Sequence, residues 1–182
     1  KQGEDVKVDA LTSKAAFEHA ILDWASDKVN PHVPLFIYMV SHGREESFLL
    51  DLLGSPDSTL SPDELNSWLN QLERKSGVKE ITLIIEACRS GSFVKPLAKE
   101  GRIIIASARE DRPSLVTRWL SFSGLLFRKI YRNRALDEAL SETISELEAF
   151  KCFREQFPVF DADGDGILNE RGDFIALEGK YI

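Results

Sequence analysis

Two short runs, ITLIIEA (81–87) and RIIIASA (102–108), are apolar without alternation and rich in β-branched residues. A strand with one wet face alternates polar and apolar side chains. Unbroken runs of this length therefore belong to strands covered on both faces, as in a parallel sheet between helical layers. VPLFIYMVS (33–41) has the same character. TSKAAFEHAILDWASDKV (12–29) precedes it with Phe17, Ala20, Ile21 and Trp24 at helical spacing behind a Thr12/Ser13 cap. SPDELNSWLNQLERKSG (61–77) has both ends marked: Ser61 as cap, Pro62 in the first turn, Glu64 closing a capping box and Gly77 as the stop. Its buried stripe is Leu65, Trp68, Leu69 and Leu72. SFLLDLL (47–53) reads as a shorter strand, a hairpin returning over the sheet edge. FSGLLFRKIYRN (122–133) and ALDEALSETISELEAFKCFREQF (135–157) read as two more helices. Helix, strand, helix, strand predicts an α/β domain with a mostly parallel sheet.

The 182 residues, 43% apolar and 29% charged, suffice for one core. We expect one domain over 1–157 and an acidic loop with a tail over 158–182. The formal charge of −7 repels phosphate backbones and anionic lipid, which argues against nucleic acid and membrane as partners. No apolar run approaches the roughly 20 residues of a spanning helix, and KQGEDVKVDA has no signal-peptide core. Cys88 and Cys152 fall in unlike contexts, one at a strand end and one in a helix, and read as free thiols.

Ligands of an open parallel sheet bind beyond the carboxyl ends of its strands, where loops converge. The strand ending at Val40 delivers Ser41, His42 and Gly43 to that rim. The strand ending near Glu86 delivers Ala87, Cys88, Arg89, Ser90 and Gly91. If the two are neighbours, about 4.8 Å apart, an imidazole meets a thiol. A thiol is nucleophilic as thiolate, which a nearby imidazole promotes. Gly43 and Gly91 would let backbone N–H groups approach a substrate carbonyl, with the N–H groups of Gly43 and Cys88 as the oxyanion pair. His19, in an amphipathic helix, and His32, in a proline-flanked loop, have no assigned role.

YMVSHG (38–43) followed by IIEACRSGSF (84–93) resembles the His-Gly and Glu-Ala-Cys-x-Ser-Gly-Ser signatures of the legumain-type cysteine peptidases, within the caspase-like group. The likeness continues through GRIIIASAREDRP (101–113) and is strongest to bacterial members ending in an aspartate-rich loop. It implies a three-layer α/β/α caspase-like sandwich and an endopeptidase acting on peptide or protein substrates. Cys88 is then the nucleophile and His42 the general base and acid, with no third side chain required. Glu86 falls at the primary specificity pocket, and Ser107 with Asp111 on the loop of its far wall. An acidic pocket favours a basic or amide-bearing residue before the cut. Glu86 could equally cap a loop or pair with Arg89 or Arg109, and Arg109 and Arg112 lining the pocket would instead favour acidic substrates. Ser41 stands where an acidic residue is common. The resemblance also implies strands ahead of the histidine-bearing one, for which only EDVKVDALTS (4–13) precedes the first helix. We expect a fragment or shortened variant, with its N-terminal strands missing and a sheet edge open to pairing.

DADGDGILNERGD (161–173) alternates carboxylates at Asp161, Asp163 and Asp165 with glycine, a pattern that turns several oxygens toward one hard cation. Calcium is the expected ion, in a structural role. The Ile167 carbonyl and Asn169 continue the set, and Asp173 or Glu170 closes it, because position twelve is Gly172. FIALEGKYI (174–182) shows no convincing helix, so a single dockerin-like loop is expected. Calcium at the millimolar levels outside cells would place the parent protein in an extracellular or periplasmic setting. Two other readings stay open: a caspase-like module that holds peptides without cleaving them, and a transition-metal site on His42 and Cys88. For the latter only two soft ligands are visible where a stable zinc site takes four.

Overall fold

The computed structural model describes residues 10, 12–51, 58–117, 120–150 and 156–182. Four strands form the main sheet: β1 (Leu35–Val40), β5 (Ile81–Glu86), β6 (Arg102–Ala106) and β7 (Val159–Asp161), in the order β1-β5-β6-β7. The first three run parallel, with Leu35 opposite Ile81, Val40 opposite Glu86 and Ile85 opposite Ala106. Every residue of β5 and β6 is buried, as the unbroken apolar runs require. Complete burial of Leu83, Ile84 and Ile85 is worth about 1.5–3 kcal/mol for each side chain.

Helix α1 (Lys14–His19), α2 (Pro62–Ser76) and α3 (Val94–Leu97) cover one face. On the other face lie α4 (Phe122–Ile130), α5 (Leu136–Ala149) and α6 (Arg171–Leu177). The result is the expected three-layer sandwich. Around α2 the capping box, the Pro62 start, the buried stripe and the left-handed Gly77 stop all appear as expected. Arg102, 1% exposed at the foot of β6, ties α2 to the sheet. It donates to Glu73 at 2.6 Å, Asn66 at 2.8 Å and Asn70 at 3.1 Å. Burial alone would push the Glu73 carboxyl up, but the bonds and charges of Arg102 and Lys99 outweigh it and hold it low.

Several expectations change. The first helix passes through a π-turn (Ala20–Trp24) and a 3₁₀ turn (Ala25–Asp27). The extra residue rotates the stripe, so Trp24 is 61% exposed and Ala25 is buried in its place. SFLLDLL does not return over the main sheet: β3 (Ser47–Leu49) pairs antiparallel with β2 (Gly43–Arg44) and β4 (Thr59–Leu60) in a separate small sheet. Residues 52–57 lie outside the description. The long helix ends at Ala149, where Phe150 turns extended, and Cys152 falls among residues not described.

The tail differs most. Val159–Asp161 joins the main sheet antiparallel to β6, and the exit from the acidic loop is a helix after all. Its reason is a reciprocal cap: Glu170 accepts from the Asp173 N–H and Asp173 accepts from the Glu170 N–H. Strand β1 is one edge of the main sheet among the described residues, with Phe36, Tyr38 and Val40 at 40, 39 and 55% exposure. Phe36 and Tyr38 meet the Phe127 ring edge-on.

Candidate active site

The parallel register sets the geometry at the carboxyl rim. Val40 faces Glu86, and the Ser41 N–H donates to the Glu86 carbonyl at 3.2 Å, so His42 and Cys88 leave neighbouring strands at the same level. Gly43 lies against the Cys88 carbonyl, and any Cβ there would collide with that oxygen and with Ala87. The glycine is thus needed for close approach of the two strand ends. The Leu49 N–H donates to the His42 carbonyl at 3.0 Å. His42 and Leu49 are therefore a hydrogen-bonded pair, and the next pair, Gly43 with Phe48, turns the Gly43 N–H away from β3.

The two strand ends are also bolted together beyond the glycine. Arg89 of the cysteine turn pairs with Glu45 of the hairpin at 3.1 Å, and the Glu46 N–H donates to Ser92 Oγ at 3.0 Å. Arg89 itself is left-handed at φ 59°, so the chain reverses immediately after the thiol. Cys88 is half-buried and its thiol donates to the Ser114 carbonyl at 3.6 Å, while His42 is exposed. Gly91 has a different role from the one expected: its N–H donates to the Ala108 carbonyl at 2.8 Å, and a Cβ would sit 2.6 Å from the Glu110 nitrogen. It packs the turn onto the 107–115 loop and leaves no donor for a substrate.

At the end of β5, two residues before the thiol, Glu86 is 2% exposed. Ser123, in the first turn of α4, donates to Glu86 Oε2, and the Tyr38 hydroxyl lies 3.3 Å from the same oxygen and 2.8 Å from Ser123 Oγ. Burial pushes the Tyr38 phenol up; its bond to Ser123 pulls it down, and the adjacent Glu86 charge adds to the rise. Glu86 Oε1 has no hydrogen-bond partner among the described residues. Neither Arg89 nor Arg109 pairs with this carboxylate; Arg89 is with Glu45, and Arg109 is with Asp111 and over the Phe157 ring.

Ser107 is fully buried and donates to Ser114 Oγ at 2.7 Å. Asp111, half-exposed, is held by Arg109 at 3.1 Å and Arg112 at 3.7 Å. Ser107 thus lies in the buried polar group, and Asp111 makes its contacts in an outer ion-pair cluster. Tyr38, Ser114, Ser123 and Gln156 were not singled out from sequence. Tyr38 was reachable through strand period, since it shares a face with Val40 on the strand beside Glu86. The other three have no local signal.

The acidic loop lies at the opposite end of β6, where Gly164 packs directly on Lys99 and Glu100. Oxygens of Asp161, Asp163 and Asp173 converge within 4.8 Å, as do those of Asp163, Asp165 and Glu170. Gly172 lies close under these groups, and a Cβ there would displace the carboxylates of Asp163 and Glu170. Asp161 accepts from the N–H groups of Gly164 at 2.7 Å and Gly166 at 2.6 Å. Burial pushes both Asp161 and Asp173 up, the amide bonds pull against it, and neighbouring carboxylates push the same way as burial. The donor set is all oxygen and suits a hard cation. Ile167 is exposed and its N–H donates to Asp165. Asn169 departs from expectation: its Oδ1 accepts from the Phe160 N–H and its Nδ2 donates to the Pro158 carbonyl, so the side chain is spent on β7. Among the described residues, His42 and Cys88 join no such ligand cluster.

A search of curated proteins gives no significant match. Among solved structures, the caspase-1 of Spodoptera frugiperda is similar with a TM-score of 0.57 and 12% identity, over 82% of this chain and 67% of that one. At that identity the likeness is one of fold. The sequence model of the Peptidase C13 family matches residues 14–157, a span that takes in both the histidine and the cysteine strand ends. With most of the chain matched and a caspase-like sandwich beneath it, the protein belongs to the Peptidase C13 family and has the framework of a cysteine peptidase.

Proposed function

We propose that the chain is a cysteine endopeptidase working through a Cys88–His42 dyad, with a structural calcium loop at 161–173. The observation that carries this reading is the register: Val40 opposite Glu86 with Gly43 seated on the Cys88 carbonyl, which brings an imidazole and a thiol to adjoining strand ends. In the proposed reaction His42 takes the thiol proton, and the Cys88 sulfur bonds to the scissile carbonyl carbon. The N–H groups of Gly43 and Cys88 hold the oxyanion. His42 then gives its proton to the departing amine, and water, activated by the same imidazole, releases the acyl group.

Glu86 is proposed to receive the side chain before the cut, with Ser107 lining the pocket and Asp111 on its outer loop. A buried carboxylate whose Oε1 has no hydrogen-bond partner among the described residues favours a basic residue, or failing that an amide, over an acidic one. For the metal, Asp161, Asp163, Asp165, the Ile167 carbonyl and Asp173 are the proposed ligands, with Glu170 beside them. Calcium would supply charge neutralisation to crowded carboxylates. Occupancy at millimolar calcium fits an exported parent protein.

An irreversible peptidyl ketone with a basic first residue tests the dyad. Wild-type protein should be labelled and should cleave the matching peptide, while Cys88→Ser should do neither. Equal cleavage by that variant overturns the assignment. A second reading, a binding module that does not turn over, draws on one observation: the thiol hydrogen-bonds to Ser114 rather than to the imidazole. Peptide binding without any product burst would select it.

A further inference from the structure

Gln156 lies just ahead of β7 and is 1% exposed. Its carboxamide makes three bonds among the described residues, all to one loop more than forty residues earlier in the chain. Nε2 donates to the Ser107 carbonyl at 2.8 Å and to Ser114 Oγ at 3.3 Å, while Oε1 accepts from the Leu115 N–H at 3.2 Å. The Gln156 main-chain carbonyl accepts from the Arg109 N–H at 3.3 Å. A primary amide has the donors and the acceptor for this set, whereas a carboxylate lacks the donors and an apolar side chain lacks both.

The loop so gripped is the one that meets the thiol. Ser114 carries the carbonyl that accepts from Cys88 Sγ at 3.6 Å. The Arg112 carbonyl accepts from the Arg89 N–H at 2.8 Å, and the Ala108 carbonyl from the Gly91 N–H at 2.8 Å. Residues 107–115 therefore wall the cysteine turn on the side away from the histidine hairpin. The loop contains no helix or strand of its own, so its position depends on such bonds.

We infer that Gln156 is a positioning residue of the active site: its carboxamide fixes the 107–115 loop as the substrate-facing wall beside Cys88, without touching the reacting atoms. This rests on the proposed role of Cys88 as nucleophile. The next residue, Phe157, stacks outward under Arg109 at 5.8 Å and makes no such clamp.

Two variants test it. Gln156→Met keeps the shape of the side chain and removes every side-chain bond, and Gln156→Glu keeps only the acceptor for Leu115. Hydrogen exchange, which needs no turnover, should show the Arg109 and Leu115 amides losing at least tenfold of their protection in the methionine variant, with β5 and β6 unchanged. In peptide cleavage KM should rise about tenfold or more while kcat moves less than threefold, and the glutamate variant should fall between wild type and methionine. If Gln156→Met does not fold, Gln156→Glu alone must show both changes. Wild-type protein that is inert toward peptides defeats the Cys88 reading, and the exchange arm still judges the clamp. An active wild type whose variants keep both amide protection and KM overturns the role of Gln156.

Discussion

The two ends of the sheet are built on opposite plans. At the carboxyl rim, parts come from five separated stretches of chain, and atoms are left with capacity: an exposed His42, a half-buried thiol and a buried Glu86 oxygen without a hydrogen-bond partner among the described residues. At the other end, thirteen consecutive residues supply all the carboxylates, and backbone amides already occupy both oxygens of Asp161 and of Asp173. A discontinuous site is held by the fold and can leave groups poised for chemistry. A contiguous site must hold itself, so its side chains brace the loop before any ion arrives.

Substitution should separate the two plans. The largest effect is expected at the rim, where His42→Ala or Cys88→Ala should lower turnover by about 10³-fold or more. Neither side chain is fully buried, and both variants should melt within about 0.5 kcal/mol of wild type. A large loss of stability would mean that the rim is braced like the loop, and the contrast would fail. Next comes Glu86→Gln. Loss of a charged partner should lower kcat/KM by about 10–100-fold for peptides with lysine or arginine before the cut, and by much less for asparagine. An equal fall for all three peptides would remove Glu86 from the pocket.

At the loop the expected effects are on stability. Calcium at a hundred times its dissociation constant should stabilise the wild type by about 2.7 kcal/mol, and Asp161→Ala/Asp163→Ala should abolish the rise in melting temperature. No rise in wild type would leave the loop a hydrogen-bonded turn. The metal-free protein has a signature of its own. The carboxyls of Asp161 and Asp173 lie above the ordinary 3.8, so the folded state holds these protons more tightly than the unfolded chain. Their contribution is complete below that value and is lost as pH rises through the raised range. In chelator, Asp173→Asn should therefore gain on wild type between pH 4 and pH 7. Glu73, held low by Arg102 and Lys99, acts in the opposite sense and is unchanged by the variant.

The contrast also explains what could be read from sequence. The unbroken runs at 81–87 and 102–108 revealed covered strands because burial on both faces removes the polar–apolar alternation of a half-wet strand. The α2 boundaries were legible because Ser61, Glu64 and Gly77 act on backbone groups a few residues away. By the same logic the acidic loop was visible and its exit helix was not. The Glu170–Asp173 cap lay inside what read as a ligand set, and a seven-residue helix has too few apolar positions to show a period. The rim was half legible. His42 and Cys88 stand at strand ends that sequence marks, whereas Ser114, Ser123 and Gln156 are brought in by loop and helix placement. A polar residue in a polar stretch carries no trace of the buried partner waiting across the fold.

The smallest expected effect joins the two ends. Strand β7 is only three residues long, with Gln156 three residues before its start and Asp161 as its last member. Through this one strand the acidic loop and the wall beside Cys88 share a rigid connection, hydrogen-bonded along β6 from Ile104 to Ala106. An ion that tightens Asp161 should steady the strand and reduce local opening at its other end. Protection of the Leu115 amide in wild type should then rise on adding calcium, by no more than about fivefold, the low end of coupling between linked sites. The increase should vanish in Gln156→Met, which keeps the loop and loses the clamp. Survival of the increase in that variant would place the coupling elsewhere, and its absence in wild type would leave the two ends independent.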